Sequence, residues 1–234
     1  MKQIPLAIGL DTEPDFEHFV AGGNRAALHA LSQLKLPSPP VYLHGPPGSG
    51  KTHLLSALAS QVRSQGGRCG WFNAEDPLPW TFDEGWQLVV IDGADRLDEL
   101  HQHAAFSLFV DAATFGVQVA SAGRVPPVDL PVREDLRTRF GWGPVFALRP
   151  LDEAGTRAAL RREADQRGIF LSDEVMDYLL THFSRDLASL MALLRRLDRF
   201  SLAERRAVTV PLLKKMVAEE ADELPAAAAL GRAA

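Results

Sequence analysis

Disulfide chemistry is closed to this chain, because its 234 residues hold a single cysteine, Cys69. Without a second thiol no internal crosslink forms, and a reducing cytoplasm is the expected compartment. No apolar run approaches the ~20 residues that cross a bilayer, so no membrane partner is expected. The start, Met1-Lys2-Gln3-Ile4-Pro5-Leu6, lacks the long apolar stretch of a secretory signal. A basic surplus is missing too: 25 Lys and Arg face 30 Asp and Glu, a net charge of -5. Broad nucleic-acid binding normally needs a basic face, so any DNA contact is expected to be indirect or weak. No internal repeat is visible. What remains, 46% hydrophobic and 24% charged residues, is ordinary for a globular protein. The length suffices for one α/β domain and a smaller one.

Against that background one stretch stands out. Gly45-Pro46-Pro47-Gly48-Ser49-Gly50-Lys51-Thr52 fits the phosphate-binding pattern G-x-x-x-x-G-K-[ST] at every position. Glycines at 45, 48 and 50 let backbone amides turn inward with no side chain between them and a pyrophosphate. Lys51 brings a point charge to the terminal phosphates, and the Thr52 hydroxyl suits Mg²⁺. The pattern needs a strand before it and a helix after it, whose N-terminus adds positive partial charge. Val41-Tyr42-Leu43 reads as the strand, and His53-Leu54-Leu55-Ser56-Ala57-Leu58-Ala59 has helical spacing. A chance glycine-rich turn would not bring both flanks.

Further short apolar runs read as strands: Arg68–Phe72, Leu88–Ile91, Gln118–Ser121 and Val145–Leu148. Helical stretches near 96–115 and 133–140 lie between them. Apolar strands alternating with helices predict a five-stranded parallel sheet covered on both faces, an α/β fold. After Pro150 the pattern turns wholly helical, over 152–167, 172–183, 185–202 and 210–220. Asp152 and Ser172 look like N-caps and Gly168 a helix stop. The expected organisation is an N-terminal segment of 1–12, a nucleotide-binding domain of 13–149, a helical lid of 150–222 and a frayed tail of 223–234.

A nucleotide site of this type needs an acidic residue at the end of a neighbouring strand. Leu88-Val89-Val90-Ile91-Asp92 supplies it, and Asp92 is expected to hold Mg²⁺ through water. Many relatives of such sites place a glutamate next, to orient the attacking water; here that position is Gly93. Asp95 lies two residues further on. Intrinsic hydrolysis is expected to be poor.

Three segments resemble the AAA+ module of the bacterial replication initiator DnaA, and the short form resembles the DnaA-related Hda group of regulators. They are Phe16-Glu17-His18-Phe19-Val20-Ala21-Gly22-Gly23-Asn24, the loop continued as Gly-Lys-Thr-His-Leu-Leu, and Leu136-Arg137-Thr138-Arg139-Phe140-Gly141-Trp142-Gly143. The similarity runs over about 16–220. No match to the initiator's DNA-binding helix-turn-helix domain is seen, which favours the Hda group. The resemblance implies an AAA+ P-loop NTPase with a small all-helical lid. It implies adenine nucleotide contacts from Phe19, Val20, His53 and the loop, and Mg²⁺ at Thr52 and Asp92. Arg139 matches an arginine finger that points toward a neighbouring subunit's γ-phosphate, and a guanidinium fork suits phosphate oxygens. A surface arginine capping its helix is the plainer alternative. Ser121 falls in the region that senses the γ-phosphate, although the family often has Asp at what is Gly123 here. The lid's phosphate-gripping arginine falls on Ala188, with Arg185 three residues earlier on the same helical face. A weaker lid grip makes ADP the expected ligand over ATP.

Gln3-Ile4-Pro5-Leu6-Ala7-Ile8 carries one more signal. In extended conformation Ile4, Leu6 and Ile8 share a face beside the Gln3 amide. The pattern is similar to the family's hexapeptide for the DNA polymerase III sliding clamp; an edge strand would look alike. The resemblance implies a regulator that binds the DNA-loaded clamp and stimulates hydrolysis of DnaA-bound ATP, inactivating DnaA. It would be cytoplasmic, near the nucleoid through the clamp, and homo-oligomers stay open. A self-sufficient ATPase of the helicase-loader type is the second reading. A P-loop kinase is disfavoured by the helical C-terminal region. His101 and His103, two apart on a helix, point apart and argue against a metal site. Trp80, Trp86, Phe106 and Phe109 read as packing.

Overall fold

A computed structural model describes residues 14–183 and 186–219. The chain divides into two compact units, one of Thr12–Leu151 and one beginning at Asp152. Strands Val41–His44 (β1), Cys69–Asn73 (β2), Leu88–Asp92 (β3), Gln118–Gly123 (β4) and Val145–Ala147 (β5) belong to the first unit. They form one sheet in the order β2-β3-β4-β1-β5, every pairing parallel. Its helices are Arg25–Ser32 (α1), Lys51–Ser64 (α2), Glu99–Phe115 (α3) and Glu134–Phe140 (α4). The five parallel strands are those the apolar runs predict.

Strand alternation sorts the core into two layers. Val41, Leu43, Leu88, Val90, Ala120 and Ala122 face one way, onto Leu54, Leu55 and Leu58 of α2 and Leu31 of α1. Tyr42, Val89, Ile91 and Val119 face the other way, onto Leu108 and Phe109 of α3 and Leu136 and Phe140 of α4. The loop-bearing helix α2 and the arginine-bearing helix α4 therefore lie on opposite faces of the sheet. Trp80, Trp86 and Phe106 pack on the second layer as well.

Several boundaries move from their predicted places, for local reasons. The helix expected from 96 begins at Glu99, because the Asp98 carboxylate accepts the His101 amide at 2.9 Å and caps it. Ala94–Arg96 forms a separate 3-10 turn. β3 carries Asp92 within it, and β4 runs on to Gly123. Helix α1 has no counterpart in the sequence reading. Its N-cap Asn24 makes no side-chain cap bond. The Asn24 amide instead donates to the Arg149 carbonyl, and its oxygen accepts from the Arg149 amide, both at 2.8 Å.

The second unit holds Glu153–Gln166 (α5), Asp173–His182 (α6), Leu187–Glu204 (α7) and a helical run over 210–219. Asp152 and Ser172 act as the N-caps expected of them, accepting from the Gly155 and Val175 amides at 2.8 and 3.3 Å. Asp186 caps α7 in the same way. Leu160, Met176, Leu179, Leu190, Leu194, Leu197 and Leu213 fill the unit's core. Its described secondary structure is all helical. Gln3, Ile4, Leu6, Ile8, Arg185, the side chain of Ala188 and the tail from 220 lie outside the described residues.

Candidate functional site

The loop Gly45–Gly50 joins β1 to α2, as the phosphate-binding pattern requires. Two of its glycines are forced by geometry. A Cβ on Gly45, at φ +151°, would run into the Leu148 carbonyl, and one on Gly50, at φ +94°, would lie 2.6 Å from the Phe19 ring. Gly50 is the N-cap of α2, so the amides that open the helix face the loop's hollow. Lys51 bends back over the loop, donating to the Gly45 and Pro46 carbonyls at 2.8 and 2.9 Å. Burial lowers its pKa, while the Asp92 and Asp95 carboxylates oppose that shift. His44, just before the loop, is also held low by burial and then by the Lys51 charge.

Thr52 and Asp92, predicted from separate stretches, meet here. The Thr52 hydroxyl donates to Asp92 Oδ2 at 2.6 Å. Two hard oxygens beside a half-buried lysine and a helix N-terminus fit a magnesium-bound polyphosphate. Phe19 is buried beneath the loop against Gly50, and its ring centroid lies 5.4 Å from that of His53. His53 also meets the Asp15 carbonyl through Nε2 at 3.1 Å. The segment 15–19 thus braces the loop from the outer side.

Other predicted residues have surroundings of their own. Ser121 pairs with Tyr42 and Ile91 in register, on the α3 and α4 face of the sheet. Its hydroxyl is buried with no hydrogen-bond partner among the described residues. Gly123 leaves no room for the aspartate common in the family, because a Cβ there would overlap the Tyr42 hydroxyl. Burial raises the pKa of that hydroxyl, with help from the Asp95 charge. Asp95, close enough to Lys51 to act on its charge, is itself held in place. It is largely buried, accepts the Arg124 amide at 2.8 Å and pairs with Arg124 Nε at 3.5 Å.

Arg139 sits in the last turn of α4 with two other arginines nearby. Arg133 donates to Asp135 at 2.6 Å and also contacts His103. Arg137 donates to the Val132 carbonyl at 2.8 Å. Arg139 has neither a carboxylate nor a hydrogen-bond partner for its guanidinium among the described residues, and lies over the Phe106 and Trp142 rings instead. His101 and His103 diverge: His101 bridges Asp98 and the Asp76 carbonyl, while His103 meets Arg133.

A parallel sheet in this strand order, a phosphate loop opening a helix, an acidic strand end and a separate helical unit define the AAA+ class of P-loop NTPases. Two family models match, the Hda lid domain over residues 152–217 and the bacterial DnaA ATPase domain over 10–74. Domain III of the Thermotoga maritima replication initiation protein DnaA is similar, with TM-score 0.73 and 20% identity over 89% of this chain and 97% of that one. AMPPCP-bound DnaA from Aquifex aeolicus matches with TM-score 0.65 and 23% identity, over 92% of this chain and 72% of that one. The Thermotoga maritima RuvB branch migration motor is more distant, with TM-score 0.58 and 16% identity, over 80% of this chain and 63% of that one. The chain is a DnaA/Hda-like AAA+ protein.

Proposed function

We propose that this protein holds an adenine nucleotide with Mg²⁺ as a structural switch and lends Arg139 to a partner's ATP. The observation that carries the reading is the contrast among three arginines, one at the N-cap of α4 and two within it. Arg133 and Arg137 each donate inside the chain, Arg137 leaving a buried Nε without a partner among the described residues, whereas the Arg139 guanidinium has no polar partner at all among them. An arginine with all its N–H groups unspent is suited to a phosphate from elsewhere. Its helix packs on the sheet face opposite α2, which favours action in trans over reach to its own loop.

The partner in this reading is DnaA carrying ATP. The segment Gln3, Ile4, Leu6 and Ile8 tethers the protein to the sliding clamp on DNA, and the outcome is conversion of DnaA-bound ATP to ADP. The protein's own ligand is ADP in preference to ATP, with Arg185 serving where Ala188 replaces the lid arginine. The domain limits 1–12, 13–149, 150–222 and 223–234 and a cytoplasmic, clamp-associated location belong to the same proposal. The described helices include none long and apolar enough to cross a membrane.

The competing reading, a self-sufficient ATPase of the helicase-loader type, needs a residue to orient water. Gly93 offers no side chain, and Asp95 is engaged with Arg124, so we disfavour it. The test is phosphate release from ATP-bound DnaA with clamp-loaded DNA, comparing wild type with Arg139→Ala. Fingers supplied in trans are worth on the order of 10³–10⁵ in rate, so the loss should be large. Arg139→Lys should fail as well, because an ammonium cannot copy the fork. Equal rates for wild type and Arg139→Ala would remove the proposal.

A further inference from the structure

The setting of Arg139 carries more than its availability. Its guanidinium carbon lies 4.9 Å from the centroid of the Phe106 ring and 5.9 Å from that of Trp142. Both distances are within the range of cation–π attraction. The two rings differ in how they are held. Phe106 comes from α3 and packs on the sheet's second core layer, so its position is set by the fold. Trp142 follows α4 directly, is 68% exposed, and is tied back by its amide, which donates to the Arg139 carbonyl at 3.3 Å.

The exposed Trp142 ring lies beside the Arg139 guanidinium at the surface. A guanidinium lying flat on a ring face keeps its in-plane N–H groups free for other acceptors. An unsupported arginine would sample many rotamers and lose that freedom only when it met the phosphate. Held beforehand, it meets the developing charge without that reorganisation. Arg133 also leans on Phe106, at 5.5 Å, but donates to Asp135 and contacts His103, so of the two arginines over this ring Arg139 is the one without a polar partner among the described residues.

We propose that Phe106 and Trp142 are positioning residues that hold the Arg139 guanidinium edge-outward for a partner's phosphates. The proposal rests on Arg139 acting in trans. It distinguishes Trp142 from a mere contact in the protein–protein interface: a contact changes affinity, whereas a positioning residue changes the rate within the assembled complex.

The experiment measures phosphate release from ATP-bound DnaA on clamp-loaded DNA against rising concentrations of this protein. It compares wild type, Trp142→Ala, Trp142→Phe, Phe106→Leu and Arg139→Ala, with thermal melts to confirm folding. Trp142→Ala should lower the maximal stimulated rate on the order of tenfold to a hundredfold, with the half-saturating concentration unchanged. Trp142→Phe, which keeps a ring face, should restore most of that rate. Phe106→Leu, which keeps apolar volume without the ring, should resemble Trp142→Ala. Should Phe106→Leu unfold, the exposed Trp142 pair decides alone. A loss in Arg139→Ala with full maximal rates in Trp142→Ala overturns the positioning role and leaves the finger standing. A shift in half-saturation alone, or an equal loss in Trp142→Phe and Trp142→Ala, also overturns it. Wild-type rates in Arg139→Ala would remove the underlying reading together with this one.

Discussion

The Thr52 hydroxyl and the Asp92 carboxylate are hydrogen-bonded at 2.6 Å, across the gap between the start of α2 and the end of β3. That bond joins the phosphate loop to the acidic strand end, and in the proposed function these two residues would hold Mg²⁺. Asp92→Asn keeps the shape and removes the charge. Since residues acting on a metal at one remove typically alter affinity about 10–100-fold, Mg²⁺-dependent nucleotide binding should fall by that much. Titration calorimetry with ADP, with Mg²⁺ and with chelator, checks this. Wild type should bind better with Mg²⁺, and Asp92→Asn should show little difference between the two conditions.

Gly93 bears on hydrolysis in an unexpected way. A glutamate there looks like a means of restoring a water-orienting carboxylate. Yet Gly93 sits at φ +75°, and a Cβ would lie 2.6 Å from an Arg96 guanidinium nitrogen. Arg96 is paired with Glu75, so accommodating the new side chain disturbs that ion pair too. Gly93→Glu should cost about 1–2 kcal/mol from the left-handed backbone alone. It should not raise ATP turnover. Chemical denaturation and a phosphate-release assay on the isolated protein read the two effects separately.

His101 gives a pH dependence whose sign can be worked out. Nδ1 lies 2.7 Å from Asp98 Oδ1 and Nε2 lies 3.1 Å from the Asp76 carbonyl. Both partners are acceptors, so the ring satisfies both only as imidazolium. Burial works against that charge, but the Asp98 bond, the Asp76 carbonyl and the nearby carboxylates outweigh it and raise the pKa. A raised folded-state pKa means the stabilisation is full below the unfolded value of about 6.5 and is lost as pH rises through the folded value. Melting temperatures of wild type and His101→Phe should therefore differ more at pH 5.5 than at pH 8.5, values chosen to lie roughly either side of that transition. An equal difference at both would assign His101 a packing role only.

The clamp segment should be separable from everything else. Gln3→Ala combined with Leu6→Ala should abolish binding to the sliding clamp in a surface-resonance titration. The melting temperature and nucleotide content should stay at wild-type values, since in this reading the segment serves clamp binding alone. Retained clamp affinity would reduce the segment to an ordinary edge.

Much of the site was readable along the chain because its parts are local. Gly45 to Thr52 is one contiguous stretch whose glycines, lysine and threonine act through a single strand-to-helix turn. Asp92 was readable because four apolar residues precede it and mark a buried strand. The caps Asp152 and Ser172 were readable since a cap needs only its own next turn. Helix α1 was not, because the side chain of Asn24 leaves its helix to bind Arg149, 125 residues away.

Local sequence thus determined the elements, the phosphate loop and the residue types a nucleotide needs, all of which depend on neighbours a few positions apart. Tertiary structure alone decided how each candidate is used. It set Ser121 on the far face of the sheet, since strand alternation counts from the core and not from the motif. It engaged Asp95 with Arg124, and filled the space at Gly123 with the Tyr42 hydroxyl. It also separated three arginines of similar sequence context, engaging Arg133 and Arg137 and leaving Arg139 beside the Phe106 and Trp142 rings. A guanidinium's role depends on which acceptors lie within hydrogen-bond reach, and folding brings those acceptors from elsewhere in the chain.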